Sequence, residues 1–165
     1  METIVGDVLD PQAVEKSMPG HEAVISAIGA GAKRSTLREE GTRNIVVSME
    51  RKEVKRLISL SSMGVGDSRS NFGFITKYII VPIFLRHAFA DHARQESVIR
   101  TSSLDWIIVR PPHLRDGPRT GKYIHGITLE DRGIQGVISR ADVADFMIKQ
   151  LTEDTYLRQA VGISY

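Results

Sequence analysis

Four short stretches of this chain carry groups that could do chemistry at a shared cleft. Ser61 and Ser62 place two adjacent hydroxyls at the end of an apolar run, where they could bind a ring carboxamide or a substrate oxygen. Serines are common at turns, so a pair of solvated hydroxyls is the simpler reading, and neither serine lies in the G-x-S-x-G pattern of a hydrolase. Gly29-Ala30-Gly31 lets backbone approach a flat or phosphorylated ligand, although it is only G-x-G, with no third glycine at fingerprint spacing. Asp7, between Gly6 and Val8, offers an acceptor for an adenine amino group; its spacing to Asp10 by itself favours an Asx turn. Pro111-Pro112 stiffens the exit from another apolar run and presents His113 beyond it, which a rigid loop would also do without any ligand. Lys33 and Arg34 alone among the basic residues sit close enough to a strand end to be candidate phosphate contacts.

These stretches need elements to bring them together. Thr3-Ile4-Val5-Gly6 reads as the end of a strand, and Asp10 caps a short helix with Pro11 at its first position and Gly20 beyond its end. Residues 23–28 (Ala-Val-Ile-Ser-Ala-Ile) form a near-continuous apolar run of the sort buried on both faces of a parallel sheet. Ser35 can cap a helix whose Leu37, Ile45, Val46 and Met49 recur at helical spacing. Residues 57–61 make a third strand, residues 72–101 a helical region interrupted near Pro82, and residues 105–109 a fourth strand. The excursion from 113 to 136 holds short strand candidates at 123–124 and 127–129. Ser139 and Asp142 form a capping-box pattern for a helix running to Leu151, with Val143, Phe146 and Met147 on its buried side, and residues 159–164 read as a last edge strand. Strands alternating with helices imply an α/β fold with a parallel sheet, one domain over residues 1–165, and a ligand crevice outside the carboxyl ends of the strands.

Composition narrows the function classes. No cysteine is present, which excludes a disulfide framework, a zinc ribbon and a thiol nucleophile. His87 and His92 do not share the i, i+4 face of a zinc pair, so no metal is expected, and both histidines read as surface or packing residues. A basic bias from Lys33 to Arg56 is interleaved with Glu39, Glu40, Glu50 and Glu53. It has no aromatic side chains for base stacking, so it reads as a solvated helix face rather than a nucleic-acid surface. The sole membrane candidate, residues 72–89, is broken by Lys77, Pro82, Arg86 and His87. A cytoplasmic protein with a small-molecule substrate, no nucleic acid and no membrane is the expectation.

In order along the chain, Gly6-Asp7-Val8-Leu9-Asp10, Glu22-Ala23-Val24-Ile25, Leu60-Ser61-Ser62, Asp105 through Pro112 and Ile138 through Ala144 resemble the atypical short-chain dehydrogenases, NAD(P)H-binding and NmrA-like in the broad sense. The Pro-Pro-His step is similar to the biliverdin-IXβ reductase/flavin reductase branch. The resemblance implies a Rossmann-like doubly wound sheet binding NADP or NAD. Asp7 and Val8 would then lie against adenine, Gly29 and Ala30 along the middle of the cofactor, Ser61 and Ser62 near the nicotinamide, and Pro112, His113 and Leu114 along its wall. Ser62 and His113 are the catalytic candidates it implies. Its activity would be hydride transfer from NAD(P)H to a flavin-like or other conjugated molecule, with the protein supplying orientation. The Tyr-x-x-x-Lys pair of classical members is not found at Tyr78 or Tyr123.

The chain departs from the family at its front. The Gly-Asp step comes at residues 6–7, so the first βαβ unit with its glycine-rich turn is missing from this sequence. That implies cofactor binding weakened or lost, and an alternative function as a non-catalytic NmrA-like regulatory or interaction module using residues 79–85 and a sheet edge. The edge of strand 23–28 should then be covered by Thr3–Gly6 moving in beside it, or by another chain in a homo-oligomer.

Overall fold

The computed structural model describes residues 2–31, 34–65, 86–129 and 134–165. Pro11–Lys16 forms α1 because Asp10 accepts the Gln12 amide at 2.9 Å while Pro11 supplies a preset φ at the first position. Gly20 follows at φ +82°, a conformation that would strain any side chain. The chain then enters β1 (Ala23–Ser26), α2 (Leu37–Arg51), β2 (Arg56–Leu60), α3 (Arg86–Arg100) and β3 (Asp105–Arg110). Three short strands follow, β4 (His113–Arg115), β5 (Ile124–Gly126) and β6 (Val137–Ser139), then α4 (Arg140–Lys149) and β7 (Gln159–Ser164).

The main sheet has the order β1-β2-β3-β7-β5, parallel through β7, with β5 antiparallel at one edge; β4 and β6 pair separately as a parallel ribbon. Alternation along the central strands divides the core. Leu57, Trp106 and Ile108 meet Val14 of α1, Ile45, Val46 and Met49 of α2 and Ile99 of α3 on one face. Ile58, Ile107, Val109, Val161 and Ile163 meet Val143, Phe146 and Met147 of α4 on the other. The expected α/β architecture, with helices on both faces of a parallel sheet, is what these residues build.

Several expectations are corrected. Thr3–Gly6 does not form a strand and does not lie beside β1. Among the described residues it has no neighbouring strand to take its backbone hydrogen bonds, and it leads onto α1 and α2 instead. A Cβ on Gly6 would sit 3.2 Å from that of Ala13, and the Val8 carbonyl accepts from Asn44 Nδ2 at 3.0 Å. Val5 is accordingly 96% exposed. The strand at 23–28 is shorter than its apolar run, and the edge expected to be covered by Thr3–Gly6 is not, since β1 pairs only with β2 among the described residues and leaves Ile25 41% exposed. β7 was expected at the edge; it lies inside the sheet because β5 pairs along its outer side. Residues 127–129 are not a strand. Residues 113–115 and 137–139 are, because each supplies the other with a partner. Of the helical region expected over 72–101, residues 72–85, including the apolar run 79–85, lie outside the described residues, and Arg86–Arg100 forms α3. Among the described residues no helix is long and apolar enough to cross a membrane.

Candidate functional site

The carboxyl ends of β1, β2 and β3 open onto one cavity of about 480 Å³. Beyond β1 it is lined by Ala27, Ile28 and Gly29, beyond β2 by Ser61 and Ser62, and beyond β3 by Pro111, Pro112 and Leu114. A Cβ built on Gly29 would meet nothing within 4 Å, so the backbone there borders open space. Met147, Val143 and Ala144 of α4 complete an apolar wall, and Arg38, His92 and Arg140 add polar groups. Such a mix of apolar surface with few convergent polar groups is typical of cofactor clefts.

Two backbone bonds fix the serine turn. Ser61 N donates to the Val109 carbonyl at 2.8 Å and Met63 N to that of Pro111 at 2.8 Å, extending the β2–β3 ladder past both strand ends. Beneath the turn lies a buried ion pair. Arg110 donates to Glu96 through Nε at 2.9 Å and through a terminal nitrogen at 2.7 Å, and both side chains are about 95% buried. Ser61 Oγ donates to the same carboxylate at 2.7 Å. Its one proton is thereby committed, so towards the cavity this hydroxyl can only accept. Ser62 Oγ donates to the Met63 carbonyl at a longer 3.3 Å.

The entrance to α2 is the second buried electrostatic feature. Thr36 makes no side-chain cap; Ser35 Oγ accepts the Leu37 amide at 3.0 Å, and Asp91 of α3 accepts the Arg38 and Glu39 amides, each at 3.3 Å. A carboxylate at a helix N-terminus is favourable, and this one also holds the Arg38 guanidinium at 3.3 Å. Arg38 is therefore not part of a solvated face, as the charge run suggested. It is buried at the cleft with its Nε unpartnered among the described residues. Arg43 does fit the solvated reading, pairing with Glu39 at i, i+4. His92 Nδ1 lies 3.1 Å from Gln95 Oε1, while the Gln95 amide donates to Ser59 Oγ, so the ring nitrogen is the donor. Burial, reinforced by the Arg38 charge, pushes His92 down to about 4 and keeps the ring neutral at neutral pH.

Of the residues singled out by sequence, Gly29, Ser61, Ser62, Pro112 and Leu114 line the cavity together. Asp7 does not. Its Oδ1 accepts the Leu9 amide at 2.9 Å in an Asx turn. Val8 packs near Gly41, beside the Ile28 side chain that reaches the cleft. Ala30 and His113 are not among the lining residues, and the His113 amide donates to the Gly136 carbonyl in the β4–β6 ribbon. Lys33 lies outside the described residues. Sequence reasoning missed Arg38, His92 and the Glu96–Arg110 pair. A readable signal existed for the pair: an Arg closing an otherwise apolar strand and a Glu on the apolar side of a helix.

Known proteins of similar sequence and shape agree with this geometry. A family profile described as NAD(P)H-binding matches residues 1–154. The uncharacterized sugar epimerase YhfK of Bacillus subtilis is 27% identical over 159 residues, which is 93% of this chain and 68% of that protein. ChuY, an anaerobillin reductase from Escherichia coli, superimposes with a TM-score of 0.78 at 25% identity over 98% of this chain and 73% of its own. A short-chain dehydrogenase/reductase from Veillonella parvula, solved with NADP, shares the fold with a TM-score of 0.77 at 21% identity over 97% and 70% of the two chains. Parallel strands ending on one apolar cleft, together with a profile that runs through nearly the whole sequence, make this chain a member of the NAD(P)H-binding family with a Rossmann-like fold.

Proposed function

We propose that this protein holds NADP(H) or NAD(H) across the carboxyl edge of its sheet and orients it for hydride transfer to a conjugated small molecule such as a flavin. The observation that carries this reading is the convergence of three parallel strand ends on one cavity next to an unobstructed glycine, Gly29. The residues present suit such a group. Ile28, Pro112, Leu114 and Met147 offer flat apolar surface, and the Ser61 hydroxyl offers an acceptor suited to a carboxamide NH₂. Arg38, paired with Asp91 yet keeping a buried Nε unpartnered among the described residues, offers a donor for a phosphate oxygen, and Arg140, paired with the exposed Asp116, lines the same cleft. The bound dinucleotide would supply the hydride. The chain's own residues orient the ring, exclude water from the apolar wall and keep His92 uncharged beside it. Ser62, with a weaker internal bond than Ser61, is the hydroxyl placed to donate to an acceptor molecule.

Gly29→Leu tests this directly. A leucine there fills open space without a clash, so the fold should keep its melting temperature. NADPH at one hundred times its dissociation constant should stabilise the parent chain by about 2.7 kcal/mol and the variant negligibly. Equal stabilisation of both, or none of the parent at millimolar NADPH, would reject the reading. Consumption of NADPH on adding a flavin then tests hydride transfer.

A second reading, an interaction module, is favoured by the edge of β1, unpaired among the described residues, with Ile25 exposed upon it. In that case a second copy would pair along this edge, and Ile25→Lys would convert a dimer into a monomer by light scattering. A parent chain that is monomeric at all concentrations would dismiss it.

A further inference from the structure

We infer that the β4–β6 ribbon carries a second ligand site, on the face away from the sheet-edge cleft, built for a planar aromatic anion. The ribbon registers Leu114 with Ile138 and Arg115 with Ser139. Cross-strand partners point to the same side and neighbours to opposite sides. Leu114 accordingly packs on the core and lines the cleft described above, whereas Arg115 and Ser139 line a separate cavity of about 670 Å³ that shares no residue with it.

The walls of this cavity are aromatic and apolar, formed by Tyr123, Ile124, Tyr165 and Pro118. Two cations border it, Arg115 and Lys122, and both are exposed. Neither makes an ion pair among the described residues. The carboxylates nearby are already engaged: Asp116 by Arg140 at 2.7 Å, and Asp145 by Lys149 at 2.8 Å and Arg119 at 3.3 Å. Asp142, beneath the cavity, is fully buried and receives Thr120 N, Thr120 Oγ1, Gly121 N, Ser139 Oγ and Tyr165 Oη. Its charge is stabilised from within by neutral donors, and it pairs with neither rim cation. The Arg115 guanidinium rests 5.3 Å from the centre of the Tyr165 ring, held at the wall by the aromatic face rather than by a counter-ion. Two cations without an ion-pair partner among the described residues, Arg115 over the Tyr165 ring and Lys122 at the rim, match a ring bearing a carboxylate, which would stack on tyrosine and accept from the rim donors. The inference does not depend on the cofactor reading, since no residue is shared between the two cavities.

The test uses 2-naphthoate as the aromatic anion and 2-naphthamide as its neutral counterpart, followed by calorimetry on the full chain. 2-Naphthoate should bind saturably, and binding should fall at least tenfold in the Arg115→Ala/Lys122→Ala variant, whose substitutions are on the surface and spare the fold. The affinity should be unchanged in Gly29→Leu. Lack of saturation at millimolar 2-naphthoate, equal affinity for the amide, or no loss in the double variant would overturn the inference. So would loss of binding in Gly29→Leu, which would place the probe in the cleft.

Discussion

Removing the Glu96 carboxylate should be among the most damaging single changes available to this fold. In Glu96→Ala the Arg110 guanidinium, only 5% exposed, loses both of its bonds to Glu96, at 2.9 and 2.7 Å, and Ser61 loses its acceptor. Stripping one partner from a buried pair costs about 3–5 kcal/mol, because the guanidinium stays in a low-dielectric interior without the carboxylate that held two of its nitrogens. At about 2–4 °C per kcal/mol for a chain of this size, the melting temperature should fall by roughly 6–20 °C. Circular dichroism melts and urea titrations read this directly. The companion variant Glu96→Met/Arg110→Met replaces both charges with apolar groups of similar length and should recover most of the loss, since a buried pair roughly breaks even against well-packed hydrophobic residues. That contrast separates the charge argument from simple loss of packing. The recovered double variant should still bind NADPH more weakly than the parent, because the Ser61 hydroxyl is then free to rotate away from its accepting orientation. A loss below about 1 kcal/mol in Glu96→Ala, or a double variant no more stable than the single one, would refute the reasoning.

Other perturbations follow from the same physics. Burial opposes ionisation of Asp142, but hydrogen bonds from Tyr165, Gly121 and Thr120 together hold its carboxyl well below the ordinary value of 3.8. Its contribution is therefore complete above about pH 4 and is lost as the pH falls further; Asp142→Asn should cost about 1.5–3 kcal/mol at pH 7 and flatten the acid limb of a urea-midpoint profile. An unchanged limb would exclude Asp142 as its source. His92 acts over a higher window. Its unfolded ring takes a proton near 6.5 and its folded ring only near 4, so stability is full above pH 6.5 and declines by up to about 1.4 kcal/mol per unit between those values. His92→Gln should remove that slope, and a parent protein equally stable at pH 7 and pH 5 would contradict the assignment.

Much of the scaffold was legible in the linear chain because its signals are local. Asp10-Pro11 caps α1 as read, and Ser139 caps α4 through the Asp142 amide, bonds that span two or three residues; the reciprocal half of the capping box does not form, because the Ser139 amide donates to Tyr165 Oη instead. The apolar runs at β2, β3 and β7 announce strands because a strand buried on both faces is mostly apolar rather than alternating. Parallel pairing then follows from the intervening helices, and with it the convergence of Gly29, Ser61 and Pro112 at one cleft.

Whatever depends on a distant partner was decided by the tertiary fold. Three-residue strands such as β4 and β6 have no periodicity to read and exist only because each completes the other's ladder. Thr3–Gly6 has strand composition and still forms none, for want of a neighbour. The same rule governs charge. Arg38 and Arg43 look alike in a basic run, yet only Arg38 meets Asp91, fifty-three residues away, and is buried. A sequence sets which groups a short segment can satisfy by itself. Which unsatisfied donor meets which carboxylate depends on loop closures between remote segments, and no local pattern encodes those distances.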